Sequence, residues 1–252
     1  MDTLRLVALR GGGLEAHVSP LGATLVRLLA PDRRGAPVDC VLGYDSADEY
    51  LAAGTYFGGV VGRCANRVAA GAFTLDGVRH QLATNNGANA LHGGPRGFHT
   101  RWWSVEALLD ATGADVAPPP PGASPPPLPP AGVRLRYTSP DGEEGYPGSL
   151  TAVVSYLLCS RSPAPGAPPR PSLVTQLRAT CDVPTIVNLA QHAYWNLGGH
   201  ASGSVLLSHA LRLWASRYTP VDEGLIPTGD TPTVVGTPFD FTGSPRGKPP
   251  IS

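Results

Sequence analysis

The abundance of glycine and proline limits what this chain can fold into, because 31 glycines and 28 prolines stand among its 252 residues. Both residue types interrupt helices, so few long helices can form. The apolar runs between them are short and separated by turn residues. The sequence therefore predicts an all-β fold, a sandwich or barrel of many short strands. One short helix is predicted near residues 46–51.

The predicted strands follow from local pattern. Asp76-Gly77 between two short apolar runs is the typical turn of a tight β-hairpin. Val133, Leu135 and Tyr137 alternate with arginines, as in a strand with one buried face. We predict strands over residues 4–9, 14–18, 23–29, 73–75, 78–80, 133–137, 150–158 and 173–181.

Two proline-rich segments interrupt this pattern. Residues 117–131 hold nine prolines and residues 162–171 hold five. Proline cannot donate a backbone hydrogen bond, so both segments are predicted to be extended, solvated loops inserted at hairpin tips. A role as ligands for a proline-binding module stays open. Because the strand pattern resumes after each loop, residues 1–252 are predicted to form one domain.

Charge and cysteine usage narrow the class of protein. Nineteen basic residues balance 19 acidic ones, which disfavours nucleic acid as a partner and suits a small neutral ligand. The apolar run at residues 4–9 is too short and too soon interrupted for a signal peptide, and nowhere do 18 apolar residues run together, so no signal peptide, no membrane span and a cytoplasmic location are expected. Free thiols are expected at the widely spaced Cys40, Cys64, Cys159 and Cys181.

Three polar motifs beside glycines are candidate binding segments. In the first, Asn66 and Arg67 offer amide and guanidinium donors to hydroxyl oxygens. In the second, paired glycines follow His92 and allow a ligand to approach closely. In the third, His192 stands near two aromatic residues, surroundings in which sugar rings stack. Taken alone, such an arginine is as often a surface charge, and such a histidine is more often structural.

The seven histidines do not suggest a metal site. None shows the H-x-x-x-H or H-x-H spacing that brings two imidazoles to one side of an element, so no metal is expected. The sequence also lacks a G-x-S-x-G motif, a phosphate-binding loop and a dinucleotide fingerprint in the right context. The residues alone indicate a β-domain with a His/Asn/Arg site for a neutral ligand.

Taken in order, six motifs resemble those of the aldose 1-epimerase (galactose mutarotase) family. The resemblance implies a galactose-mutarotase-like β-sandwich that binds a free hexose in an open cleft. It also implies interconversion of the α and β anomers of galactose or glucose by acid/base ring opening, without a cofactor. The motifs cover residues 41–67, 91–98, 139–148, 188–198, 220–229 and 236–240.

The resemblance also assigns roles to the candidate residues. His192 would be the general acid at the ring oxygen, and Asn66, Arg67 and His92 would bind the sugar. The base Glu and a sugar-binding Asp of the family have no match before Ser252. We therefore expect the domain to be incomplete at its C-terminus, to lack its C-terminal strands, and to have impaired activity.

Two other functions remain open at this point. A non-catalytic carbohydrate-binding homologue would bind galactose without accelerating its mutarotation. A hexose-6-phosphate 1-epimerase would need a basic cluster over the phosphate, to which Arg63, Arg67 and Arg96 are candidates. The sequence contexts of His92 and His192 favour the unphosphorylated sugar. The hexose is the expected partner, and a monomer is the expected state.

Overall fold

The computed structural model describes residues 4–116, 129–203 and 209–243. Within these ranges the chain forms fifteen strands and one α-helix. The strands are β1 Val7–Gly11, β2 Leu14–Ser19, β3 Thr24–Pro31, β4 Pro37–Asp39, β5 Val60–Val61, β6 Arg67–Val68, β7 Ala72–Leu75, β8 Val78–Gln81, β9 Ala90–Leu91, β10 Ser104–Leu109, β11 Asp115–Val116, β12 Gly132–Ser139, β13 Leu150–Arg161, β14 Arg170–Cys181 and β15 Ala190–Gln191. The helix α1 is Ala47–Ala52, and short 3-10 turns lie at Ala69–Gly71, Phe98–Thr100 and Glu143–Gly145.

Two larger sheets carry most of the strands. The first has four strands in the order β1-β2-β3-β4, and the second has five in the order β11-β10-β12-β13-β14. Every neighbouring pair in both sheets is antiparallel. Three two-stranded pairs, β5–β15, β6–β9 and β7–β8, lie outside these sheets.

The two sheets pack face to face and enclose one apolar core. Along β13 every second side chain points into this core, and the outward ones are partly exposed. Leu9, Val18 and Leu25 of the first sheet meet the inward residues of the second. Burial of these apolar faces drives the packing of the two sheets. The arrangement confirms the predicted all-β sandwich. The inward residues of β13 are Leu150, Ala152, Val154, Tyr156 and Leu158.

Several predicted elements are confirmed with small shifts. Asp76-Gly77 connects β7 to β8, with both residues at positive φ (49° and 78°), as a tight hairpin turn requires. Ser46 caps the predicted helix and forms a reciprocal capping box with Glu49. The first strand begins at Val7 rather than at residue 4, and Leu4 packs in a separate cluster with Leu21, Val26 and Ala47.

The ends of both proline-rich segments differ from the prediction. Arg170 and Pro171 belong to β14, whose edge position in the described sheet tolerates a residue without an N–H. Ala131 is buried, and its N–H donates to the Leu109 carbonyl at 3.0 Å, so it extends the second sheet. Residues 117–128 of the first segment lie outside the described residues.

Two further features bear on the sequence predictions. All four cysteines are free thiols, as predicted. In the part of the chain that the structure describes, no helix has the length and apolarity needed to cross a membrane.

Removing the hydroxyl of Tyr156 is expected to weaken the sandwich. This side chain is fully buried, and its hydroxyl donates to the Ala23 carbonyl at 2.8 Å, which joins β13 to the turn before β3. Tyr156→Phe leaves that carbonyl without its partner and should lower the free energy of unfolding by about 1–3 kcal/mol. Urea unfolding measures the difference. Tyr194→Phe, on a ring that is 41% exposed, is the control and should change little.

Candidate active site

The third motif is held in place by the ladder between β5 and β15. Ala190 and Gln191 pair with Val61 and Val60. The pairing continues one step further, where the His192 N–H donates to the Gly59 carbonyl at 2.9 Å. These main-chain bonds fix the point at which the His192 side chain leaves the backbone.

Asn66 and His92 are joined by two hydrogen bonds. The His92 N–H donates to the Asn66 carbonyl at 3.0 Å, and the Asn66 N–H donates to His92 Nδ1 at 2.9 Å. Both residues have positive φ, 63° for Asn66 and 52° for His92. Because Nδ1 accepts a bond, the neutral ring carries its proton on Nε2. His92 is thus set up as a donor through Nε2.

Glycine at position 93 is required by the packing of this turn. Gly93 has a φ of 86°, and a Cβ there would stand 1.7 Å from the carbonyl oxygen of Gly62. No other residue fits such an approach. The paired glycines that follow His92 therefore serve the contact between two chain segments, and not only the approach of a ligand.

Arg67 is oriented by two amide side chains. Its Nε donates to Asn86 Oδ1 at 2.9 Å, and its Nη1 donates to Asn66 Oδ1 at 3.2 Å. A guanidinium has five N–H donors, so others stay available to a ligand. Asn86 was missed from the sequence, although a pair of asparagines before the second motif was a visible signal. Its neighbour Asn85 exchanges two hydrogen bonds with the Leu91 backbone.

Tyr56 brings three imidazole rings together. Its ring centroid lies 4.5 Å from that of His92, 4.7 Å from that of His99 and 5.6 Å from that of His192. The rings of His92 and His192 are 5.1 Å apart. His192 is half-buried, and its ring stacks on the Tyr194 ring at a centroid distance of 5.1 Å. We call these rings of Tyr56, His92, His99 and His192 the imidazole cluster.

The structure thus brings the four predicted site residues into one region. Asn66, Arg67 and His92 are linked by hydrogen bonds, and His192 contacts His92. Tyr56 and His99 were missed, because neither stands out in its local sequence.

Burial keeps two members of the cluster neutral. It lowers the pKa of His92 to about 4, with further lowering by His192 and Arg67 nearby. It also lowers the pKa of His99 to about 4, helped by His92 and His192. Burial raises the pKa of the Tyr56 hydroxyl above its usual value. Near neutral pH, His92 and His99 are therefore uncharged.

Arg63 does not face the site, so its prediction as part of a phosphate-binding cluster is wrong. Its side chain is buried, and its guanidinium donates to oxygens of Ser139, Pro140 and Pro147, away from the imidazole cluster. Arg96 is 78% exposed and lies 3.5 Å from the Glu144 carboxylate. Of the three arginines, only Arg67 takes part in the hydrogen bonds that join the site residues.

The protein is expected to lose stability as pH falls from about 6.5 towards 4. The folded-state pKa values of His92 and His99 are about 4, below that of an unfolded histidine, so the unfolded state binds more protons in this window. Urea unfolding at several pH values measures the change. His99→Phe should make the decrease shallower, whereas the control His80→Gln, on β8, should not. A free energy of unfolding that stays flat to pH 4 would contradict the assigned directions.

Comparison with solved structures places the fold in one class, the galactose-mutarotase-like β-sandwiches. A GalM/aldose epimerase homologue from C. elegans superposes with a TM-score of 0.76 at 31% identity, covering 95% of this chain and 64% of its own. Galactose 1-epimerase from Lactobacillus acidophilus superposes with a TM-score of 0.67 at 28% identity, covering 92% of this chain and 59% of its own.

The chain belongs to the aldose 1-epimerase family, whose sequence model matches residues 5–249. It is 39% identical over 239 residues to galactose mutarotase of Bos taurus, and 37% identical over 239 residues to that of Homo sapiens. It is 34% identical over 238 residues to aldose 1-epimerase of Escherichia coli K12. These matches cover 94–95% of this chain, which spans 60% of the length of each relative.

Proposed function

We propose that this chain is an aldose 1-epimerase that interconverts the α and β anomers of free hexoses such as galactose and glucose. The observation that carries the proposal is the contact between His192 and His92, 5.1 Å apart, beside the hydrogen-bonded pair Asn66 and Arg67. Family membership supports the same reaction.

The donors of the site suit a ligand rich in hydroxyl oxygens. His92 offers Nε2–H, because its Nδ1 is occupied by the Asn66 N–H. Arg67 offers the N–H groups that Asn86 and Asn66 leave available. Tyr194 and Tyr56 flank His192 and add apolar ring faces, which suit the C–H faces of a pyranose. We assign sugar binding to Asn66, Arg67 and His92.

We assign the general-acid role to His192. It would give a proton to the ring oxygen while a base takes the proton of the C1 hydroxyl. The bond between C1 and the ring oxygen breaks, the C1–C2 bond rotates, and closure on the other face returns both protons. Histidine is the side chain that most often acts as a general acid. Burial lowers the pKa of His92 to about 4, so His92 is proposed as a hydrogen-bond donor to the sugar and not as the acid.

The base is not assigned. Glu143 accepts hydrogen bonds from Tyr137 and Ser139 and pairs with Arg101 at 2.8 Å. Glu144 lies close to Arg96. These partners hold both carboxylates on the turn after β12, so neither is proposed as the base.

The alternative function is that of a homologue that binds the hexose without turning it over, since Glu143 and Glu144 are both held by other partners. The hexose-6-phosphate alternative is weaker, because Arg63 is turned into the protein and bonded to main-chain oxygens.

Two measurements on the same sample test the proposal. Polarimetry of freshly dissolved α-D-galactose should show faster mutarotation than buffer alone. NMR of the histidine ring protons should show changes at His92 and His192 on addition of galactose. Galactitol, which cannot close a ring, is the control ligand and should cause little change. Spectral changes without faster mutarotation would support the non-catalytic alternative, and an absence of both would refute the proposed function.

A further inference from the structure

His99 is the member of the imidazole cluster to which the proposed chemistry gives no role. It lies in the 3-10 turn Phe98–Thr100, and its backbone is confined on two sides. A Cβ on Gly22 would stand 2.4 Å from the His99 carbonyl oxygen, and a Cβ on Gly59 would stand 3.1 Å from the His99 Cβ. The ring therefore projects from a main chain that has little room to move.

Tyr56 separates His99 from the two proposed site histidines. The His99 and Tyr56 rings meet edge to face, at a centroid distance of 4.7 Å and an interplanar angle of 66°. The same tyrosine ring contacts His92 at 4.5 Å and His192 at 5.6 Å. Tyr56 thus contacts His99 and both proposed site histidines.

We propose that His99 is a positioning residue, whose neutral ring supports Tyr56 and through it sets the placement of His92 and His192. The inference deepens the proposed function and rests on it, since it is those two imidazoles that we assign to the sugar. His99 itself is not proposed to touch the substrate.

The surroundings of His99 suit an uncharged ring. Its Nδ1 is buried and has no hydrogen-bond partner among the described residues. The titratable groups that face the ring are Tyr56, His92 and His192. The charge of Arg67 lowers the pKa values of Tyr56 and His92. All of these are neutral or positive near neutral pH. A proton on His99 would therefore be unfavourable, in line with its lowered pKa of about 4.

Two substitutions distinguish the role of the His99 ring as a support from any role of its nitrogen atoms. His99→Ala removes the support, and we expect kcat for galactose mutarotation to fall by about 10- to 100-fold, a typical loss for misplaced site residues, with a smaller change in KM. His99→Phe keeps an aromatic ring under Tyr56 and should recover most of that loss. His80→Ala, outside the cluster, is the matched control and should match the unsubstituted chain.

NMR titration of the histidine ring protons gives a readout independent of turnover. In His99→Ala, water enters beside Tyr56 and reduces the burial of His92, so the pKa of His92 should rise from about 4 towards its ordinary value. The signals of His17 and His80, which lie on β2 and β8, should stay in place. A purely global loss of structure would move all of them.

The outcomes separate this inference from the proposed function. If His99→Ala leaves kcat and the His92 titration unchanged, His99 has no positioning role. If the chain has no epimerase activity but His99→Ala still shifts the His92 titration, the proposed function fails and the positioning role stands. If His99→Ala does not fold, the phenylalanine variant decides: a folded His99→Phe with strongly reduced kcat would overturn the proposal.

Discussion

Arg63→Ala is expected to lower the free energy of unfolding by about 3–5 kcal/mol, because several buried hydrogen-bond acceptors lose their donor at once. The Arg63 side chain is only 2% exposed. Its guanidinium donates to Ser139 Oγ at 2.9 Å, the Ser139 carbonyl at 3.0 Å, the Pro140 carbonyl at 2.8 Å and the Pro147 carbonyl at 2.9 Å. It thereby joins the 62–67 segment to the turn between β12 and β13.

Urea unfolding measures this loss of free energy of unfolding, and two further variants serve as comparisons. Arg63→Lys keeps the positive charge but lacks the planar fork, so it should recover only a small part of the loss. Arg96→Ala, at a side chain that is 78% exposed, should change stability by less than about 0.5 kcal/mol. A loss below about 1 kcal/mol for Arg63→Ala would mean that the carbonyls find other donors.

His192→Ala is expected to lower kcat for galactose mutarotation by about 10²- to 10⁴-fold, the usual contribution of a general acid. Galactose binding should persist, because Asn66, Arg67 and His92 keep their hydrogen bonds to one another. Polarimetry gives kcat, and NMR titration with galactose gives the dissociation constant.

The matched control is His200→Ala. His200 is exposed, and its Nδ1 lies 2.9 Å from the Val41 carbonyl, outside the imidazole cluster. Its substitution should leave kcat unchanged. Free imidazole added to His192→Ala should restore part of the activity, since a diffusible acid can enter the vacated space. An unchanged kcat in His192→Ala would remove this residue from the mechanism.

The fold could be predicted because its signals are local. Alternating burial along β12 and β13, the Asp76-Gly77 turn and the Ser46 cap each depend on a few neighbouring residues. The sheet order could not be predicted, since it depends on which faces bury the most apolar area together. The strand position of Pro171 was missed for the same reason: only an edge position makes proline acceptable there.

The candidate site could be predicted only as far as its motifs. His92, His192, Asn66 and Arg67 were identified from sequence context, and their proximity is a property of the fold. Arg63 and Arg67 stand four residues apart in one motif, yet one is buried and the other is oriented by Asn66 and Asn86. The sequence motif alone does not distinguish the buried arginine from the other one, because Arg63 is buried by its contact with the turn after β12.

The pairing of β5 with β15 has a consequence for how the molecule assembles. The side-chain amide of Gln191 donates to the Gly58 carbonyl across 133 positions of the chain. Contacts of such long range are closed late and slowly during folding, because the intervening polypeptide must first give up its freedom. We therefore expect the refolding rate seen by the ring protons of His192 to match that of the whole sandwich. No short peptide that carries this histidine alone should retain affinity for a sugar.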